Sequence, residues 1–467
     1  MHMQPREEED PLLDDQLLGE DVWEGDQALG QNQANPPGLE TFDEGVQFLT
    51  DALREGRLPK MESIELDMWC GDVSPAVLSG LGRALGSNLR SLDLTWDSPR
   101  ESTTAGLEGL AESLSEGRLH SLEHLRLKPG GTSTNTGGSF VLGEVLNTGK
   151  APSLRRVELV WPLNETLVSL CDGFSAGCSP SSDLRLDFEI NVAEADWNHE
   201  EVYQAAFDRL VQTIRGGGMR FLHKFDFGKI PFLDPERSEK AGEALTHAGA
   251  FLNLLTEITF PPLQSYFPQQ TPQTVPRHIT KFLEGMCRGS GRLPSLRLLS
   301  RDSYFNAFSP HLGLMEQMDT ETMRPFFSLV SGGKLPSLRH LNVQLSRHAK
   351  EVSDVQALTA ALCTPHVSAL RRLQVSMPRM SPDTPTDQLI LGMFSVALAA
   401  EYLGNLEELR VDGFALGLGG RGLFDGLGSG KISSLRTLEL FGQTGCAVRS
   451  RPSELLSSSD KQGVQSD

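Results

Sequence analysis

Residues 117–127 read GRLHSLEHLRL and residues 333–343 read GKLPSLRHLNV. Each stretch joins a glycine and a cation to the phrase L-x-x-L-x-L or its valine variant. The end of the phrase alternates apolar with polar, the period of a short strand that buries one face and wets the other. The glycine and cation suit the end of a helix. Glycine takes left-handed geometry without steric cost, and a cation answers the negative pole of the helix dipole. One phrase therefore spells helix end, turn and strand.

The phrase recurs clearly at Leu89-Leu92-Leu94, Leu122-Leu125-Leu127, Leu154-Val157-Leu159, Leu338-Leu341-Val343, Leu370-Leu373-Val375, Leu406-Leu409-Val411 and Leu435-Leu438-Leu440. Weaker copies stand at Met61-Ile64-Leu66, Leu222-Phe225-Phe227, Leu255-Ile258-Phe260 and Leu296-Leu299, with a faint one near Leu184. That makes twelve units, whose first anchors are 28 to 42 residues apart, the spacing of stacked repeats. Between them run apolar stripes at helical steps, such as Phe42, Val46, Leu49, Leu53 and Val202, Ala206, Leu210, Ile214. Ser74 before Pro75 marks one helix start. Glycine-cation helix ends are expected at Gly56, Gly117, Gly149, Gly291, Gly333 and Gly430.

Units such as GRLPKMESIEL, GKAPSLRRVEL and GKISSLRTLEL resemble the leucine-rich-repeat family, and the intervening helices are similar to its ribonuclease-inhibitor-like class. The resemblance implies an α/β right-handed solenoid, a horseshoe with a parallel sheet on its concave face and helices on its convex face. It also implies a protein partner, the usual ligand of that family. The family's asparagine after the last leucine is missing here, with Asp97 the nearest substitute, so the loops after the strands are expected to be irregular.

A repeat architecture also reconciles 467 residues with the size limit of a single core. The solenoid should cover residues 41–444, with an acidic disordered arm at 1–40 and a disordered polar tail at 445–467. The arm holds eleven acidic residues against one basic. With a formal charge of -20, the chain should repel nucleic acid and anionic membranes. The uncharged apolar stretch from Gln388 to Ala400 falls short of the roughly 20 residues that span a bilayer. Six cysteines without a CxxC pair and no secretory leader point to a reducing compartment, the cytoplasm with the nucleus as alternative.

No complete catalytic motif appears, and no cofactor, metal or small-molecule substrate is expected. Gly417-x-Gly419-x-x-Gly422 resembles a dinucleotide fingerprint in its letters, but five residues separate it from the strand ending at Val411. The fingerprint needs its turn at the strand end. His120 and His124 lack ligand partners at metal spacing. The expected outward row reads Ser63, Glu65, Asp67, then Ser91, Asp93, Thr95, then His124, Arg126, Lys128, then Arg156, Glu158, and turns from acidic to basic at the third unit. Trp69, Trp96 and Trp161 follow their anchors by seven or eight residues. They are either rim anchors for a partner or covers for the open end of the core. The expected function is a non-enzymatic interaction scaffold or recognition subunit that binds a protein through Trp69, Trp96, Trp161, His124, Arg126, Lys128 and Arg156. The alternative is a GTPase-activating protein resembling the Ran-activating leucine-rich-repeat family.

Overall fold

The computed structural model describes residues 42–450 apart from 69–73, 97–99, 130–136, 150, 177–182, 192–199, 228–233, 261–273, 297, 302–319, 345–351, 377–384, 415–417 and 443–446. The arm at 1–40 and the end of the tail at 451–467 lie outside the described residues.

Helix and strand alternate throughout. The first half runs α1 (Phe42–Arg54), β1 (Ser63–Met68), α2 (Pro75–Ala84), β2 (Ser91–Trp96), α3 (Arg100–Ser115), β3 (His124–Pro129), α4 (Gly137–Thr148), β4 (Arg156–Pro162), α5 (Glu165–Ala176), β5 (Arg185–Asn191), α6 (Glu200–Arg215) and β6 (Leu222–Asp226). The second half runs α7 (Pro235–His247), β7 (Glu257–Phe260), α8 (Thr274–Arg288), β8 (Leu298–Arg301), α9 (Thr320–Ser331), β9 (His340–Gln344), α10 (Val352–Leu362), β10 (Arg372–Ser376), α11 (Pro385–Ala399), β11 (Glu408–Phe414), α12 (Leu418–Gly428), β12 (Thr437–Gly442) and β13 (Ala447–Ser450).

The strands β1 to β8 pair in chain order as one parallel sheet, and β9 to β13 form a second. Within the second sheet β9 to β12 are parallel, whereas β13 runs antiparallel to β12. Residues 447–450, expected in the disordered tail, thus close the sheet instead. The repeated leucines pair with one another: Ile64, Leu92, Leu125, Val157 and Leu186 share one line across β1 to β5. These side chains are buried against the helices. The alternate residues face outward, and β3 shows this strictly, with His124 and Arg126 exposed between buried leucines.

The faint unit has a structural cause. Leu184 is buried like the other first anchors, but it stands two residues, not three, before the next inward position, because Leu186 pairs with Val157 and Phe188 with Leu159. The expected register there was one residue off. Immediately afterwards the pairing of β5 with β6 slips at a bulge: Leu186 faces Leu222, but Asp187 faces Lys224. His223 is the extra residue.

Five of the six expected glycines, Gly56, Gly117, Gly149, Gly333 and Gly430, take φ between 67° and 73°. At Gly117 the amide bonds to the Leu114 carbonyl at 3.1 Å and the next amide reaches back to Ser113 at 3.0 Å, the double bond that closes a helix end. Gly291 does not belong to this set. A Cβ there would lie 2.0 Å from the Thr246 carbonyl oxygen, so it is glycine for close approach. Gly217 takes the left-handed position instead, with φ of 75°. Two of the cations reach past their own helix to the previous unit. Arg118 donates from Nη1 to the Arg83 carbonyl at 2.5 Å, and Lys334 donates to the carbonyls of Gly289 and, at 3.1 Å, Gly291.

A second staple was not anticipated. The residue just before the first anchor donates its side chain to the turn of the preceding unit: Asn88 to the Pro59 carbonyl at 2.7 Å, Asn405 to Ser368 at 2.9 Å, Ser295 to Asn253 and Ser337 to Pro294. These bonds satisfy turn carbonyls that no strand reaches. The Ser337 staple and an amide bond from Leu293 to the Lys334 carbonyl at 2.9 Å join the units of β8 and β9, whose strands lie in different sheets.

Successive helices touch through glycine. A Cβ on Gly173 of α5 would fall 2.1 Å from the Phe140 carbonyl oxygen of α4, and one on Gly242 of α7 would fall 1.9 Å from that of Phe282 in α8. Backbones therefore meet directly at these crossings, and nothing larger than hydrogen fits between them.

Candidate interaction face

The outward face of the parallel sheet carries the candidate site. The strand register puts Glu65, Asp93, Arg126, Glu158, Asp187, Lys224 and Glu257 in one line across β1 to β7. Charges in this line pair with one another and with the row beside it. Arg126 meets Asp93 at 3.1 Å and Glu158 at 3.6 Å. Arg156 bridges Glu158 at 2.8 Å and Asp187 at 2.9 Å. Lys224 meets Glu257 at 2.8 Å, and in the second sheet Arg372 meets Glu408 at 2.7 Å. The expected switch from an acidic to a basic wall is therefore corrected. The cations that begin at β3 interleave with carboxylates from the neighbouring strands.

The pairs share a vertical order. The side chains of Arg126 and Arg156 are each 50% exposed, whereas that of Asp187 is 13% exposed. Carboxylates sit low and hold the guanidinium groups above them, so the face offers bond donors to whatever approaches. Exposed pairs of this kind stabilise the fold by only about 0–1 kcal/mol each. Their effect is to fix side-chain positions.

At the bulge, His223 bonds through Nδ1 to Asp187 at 3.0 Å and through Nε2 to the Thr256 hydroxyl at 3.2 Å. Acid, imidazole and hydroxyl in line match the geometry of an activated nucleophile. Yet the Thr256 hydroxyl also lies 3.3 Å from the His223 carbonyl oxygen, which accepts the Thr256 amide at 2.9 Å. The cluster thus ties both sides of the bulge together. Nothing in the repeat phrase signals it, because His223 and Asp187 meet only through the register slip.

Of the three expected tryptophans, Trp161 is excluded as a rim anchor: it is 0% exposed. The strand β4 continues to Pro162, so Trp161 extends the inward line of Val157 and Leu159. Its indole Nε1 donates to the Thr166 hydroxyl at 3.2 Å. Trp96 is the last residue of β2, and Trp69 lies outside the described residues. His124, Arg126 and Arg156 are exposed on the outward face and Lys128 is half-buried there.

The glycine fingerprint dissolves into a helix. Gly419 and Gly422 lie inside α12, and Gly417 is outside the described residues. Among the described residues no group of three or more His, Cys, Asp or Glu side chains is placed to hold a metal ion. Burial pushes the Cys171 thiol up to about 12 and the Cys287 thiol up to about 11, which keeps both protonated and weakly nucleophilic at neutral pH. No described helix is long and apolar enough to cross a membrane. No protein-family model matches the chain, and no curated protein matches it in sequence.

Proposed function

We propose that this chain is a leucine-rich-repeat-like solenoid, a horseshoe that works as a non-enzymatic interaction scaffold or recognition subunit. Its concave wall is the outward face of the sheet, where a protein partner binds. The observation that carries this reading is the continuity of that face. Eight strands pair in chain order, and at about 4.8 Å per step they make a surface roughly 34 Å wide. A standard interface of about 800 Å² per partner is roughly 28 Å on a side. Side chains across this width are already held by ion pairs, which lowers the ordering cost of binding.

The bond network at His223 supports the non-enzymatic reading, because the hydroxyl that chemistry would use is engaged with the backbone of the bulge. The test is photocrosslinking in the native cell with a benzophenone residue at Arg126 on the outward face or at Gln212 on α6. Partner proteins should crosslink from position 126. Crosslinks from position 212 alone would place binding on the helices and overturn the assignment.

A further inference from the structure

The first residues of β1 to β5 are Ser63, Ser91, His124, Arg156 and Arg185, and the register aligns them in a single row. In a chain with 62 acidic residues, this row contains none. It presents hydroxyl, imidazole and guanidinium groups over five adjoining strands. Ser63, His124, Arg156 and Arg185 are exposed, and Ser91 is half-buried.

The row is also unsaturated. Arg156 uses Nε and Nη2 on Asp187 and Nη2 on Glu158. Its Nη1 group is left to donate. Among the described residues the side chains of His124 and Arg185 have no bond or ion pair. Two carboxylates on the neighbouring outward line are already engaged, Asp187 by Arg156 and His223 and Glu158 by Arg126 and Arg156.

We infer that the row His124, Arg156 and Arg185 docks an acidic segment of a protein partner. The inference rests on reading this face as the interaction surface and adds the chemistry of the ligand. Three strands at about 4.8 Å per step span roughly 10 Å, the reach of two or three carboxylates on one short segment. The guanidinium of Arg156 is fixed before binding with Nη1 open, and the planar fork of Arg185 can meet a carboxylate bidentately. A basic partner finds no carboxylate in this row. A continuous phosphate backbone would overrun it and meet Glu65, Asp93 and the overall charge of -20.

The test uses the full chain and fluorescein-labelled decaglutamate, with decalysine and a single-stranded oligonucleotide as competing chemistries, read by anisotropy at about 0.15 M salt. Arg185→Gln is the decisive variant, since the side chain it removes supports nothing in the fold. Arg215→Gln, exposed at the end of α6, is the control. Decaglutamate should bind saturably, weaken about 5-fold or more in Arg185→Gln, and keep its affinity in Arg215→Gln, the loss of a charged hydrogen bond corresponding to at least that ratio. Absence of decaglutamate binding, equal weakening in both variants, or tighter binding of decalysine or of the oligonucleotide would each overturn the inference. Crosslinking from position 126 scores the interaction face separately. An acidic ligand can therefore fail while the face survives.

Discussion

Replacing Gly242 by alanine tests whether the helices stack as closely as the backbone indicates. The added Cβ would sit 1.9 Å from the Phe282 carbonyl oxygen and 2.9 Å from the Met286 amide nitrogen. Ordinary contact begins at 3.4 Å, so α7 and α8 must part by about 1.5 Å at their crossing. Gly285 faces the Glu239 carbonyl at the same 1.9 Å, which closes off rotation as an escape. Overpacking of this kind costs about 1–3 kcal/mol. Alanine recovers about 0.5–1 kcal/mol through its better helix propensity. The net expectation is a loss of about 1–2 kcal/mol. Gly392→Ala in α11 has the opposite sign, because no atom lies within 4 Å of its added Cβ, and should gain about 0.5–1 kcal/mol. Urea unfolding followed by far-ultraviolet circular dichroism reads both midpoints. Amide exchange in α7 and α8 should also quicken in Gly242→Ala before other units respond, since each repeat leans on its neighbours. A Gly242→Ala midpoint at or above that of the parent chain would refute the close-approach argument.

Burial raises Cys171 from 9.0 to about 12 in the folded chain. The stabilisation is therefore complete below pH 9 and is lost as pH climbs toward 12, by about 1.4 kcal/mol per unit. The urea midpoint should fall more steeply above pH 9 in the parent chain than in Cys171→Ala, and equal slopes would contradict the burial. A variant that keeps Trp161 and replaces the other four tryptophans by phenylalanine should resist iodide quenching until urea unfolds it; quenching like that of free indole would place the ring at the surface. Lys334→Met removes a charged donor from the Gly289 and Gly291 carbonyls and should cost about 1.5–3 kcal/mol. Asn405→Ala, which loses one exposed bond to Ser368, should cost about 0.5–1.5 kcal/mol by the same urea assay.

The strands were legible because each carries its own period-two signal, and their order in the sheet follows from short connections between like units. Legibility fails where geometry is made between units. Gly291 and Gly333 stand in nearly the same phrase, GRLPSL and GKLPSL. Only the neighbouring helix decides that one packs against Thr246 and the other closes a turn. Gly217 was missed for the converse reason, since Gly218 stands where the cation is expected. Trp161 was ambiguous because its depth depends on how far β4 runs, and two more residues of strand keep it in the inward alternation. At Leu184 the buried anchor stands one residue nearer its strand than in the other units, which blurs the phrase. In the interaction face the outward residues were identifiable one strand at a time, but pairing needs the register across strands. The ladder through Arg126, Glu158, Arg156 and Asp187 appears only once β3, β4 and β5 are aligned. His223 needs the bulge as well.

Most of the loops after the strands, expected to be irregular for want of an asparagine, lie outside the described residues, and the polar staples that are described stand at the other end of the strand. Asparagine or serine precedes the first anchor at 88, 121, 153, 295, 337, 405 and 434, and at 88, 295, 337 and 405 it bonds to the turn before. Bonds at that edge fix the height at which each strand begins. The donor row of Ser63, Ser91, His124, Arg156 and Arg185 is made of first strand residues, so it stands beside the stapled edge, three residues on from Asn88 at Ser91. A row whose backbone is held on that side loses little freedom when a ligand settles on it. Loss of one staple should then act on binding as well as on stability. Asn88→Ala leaves every guanidinium in place, so a weakening of acidic-peptide binding in that variant would trace affinity to the turn that positions the row.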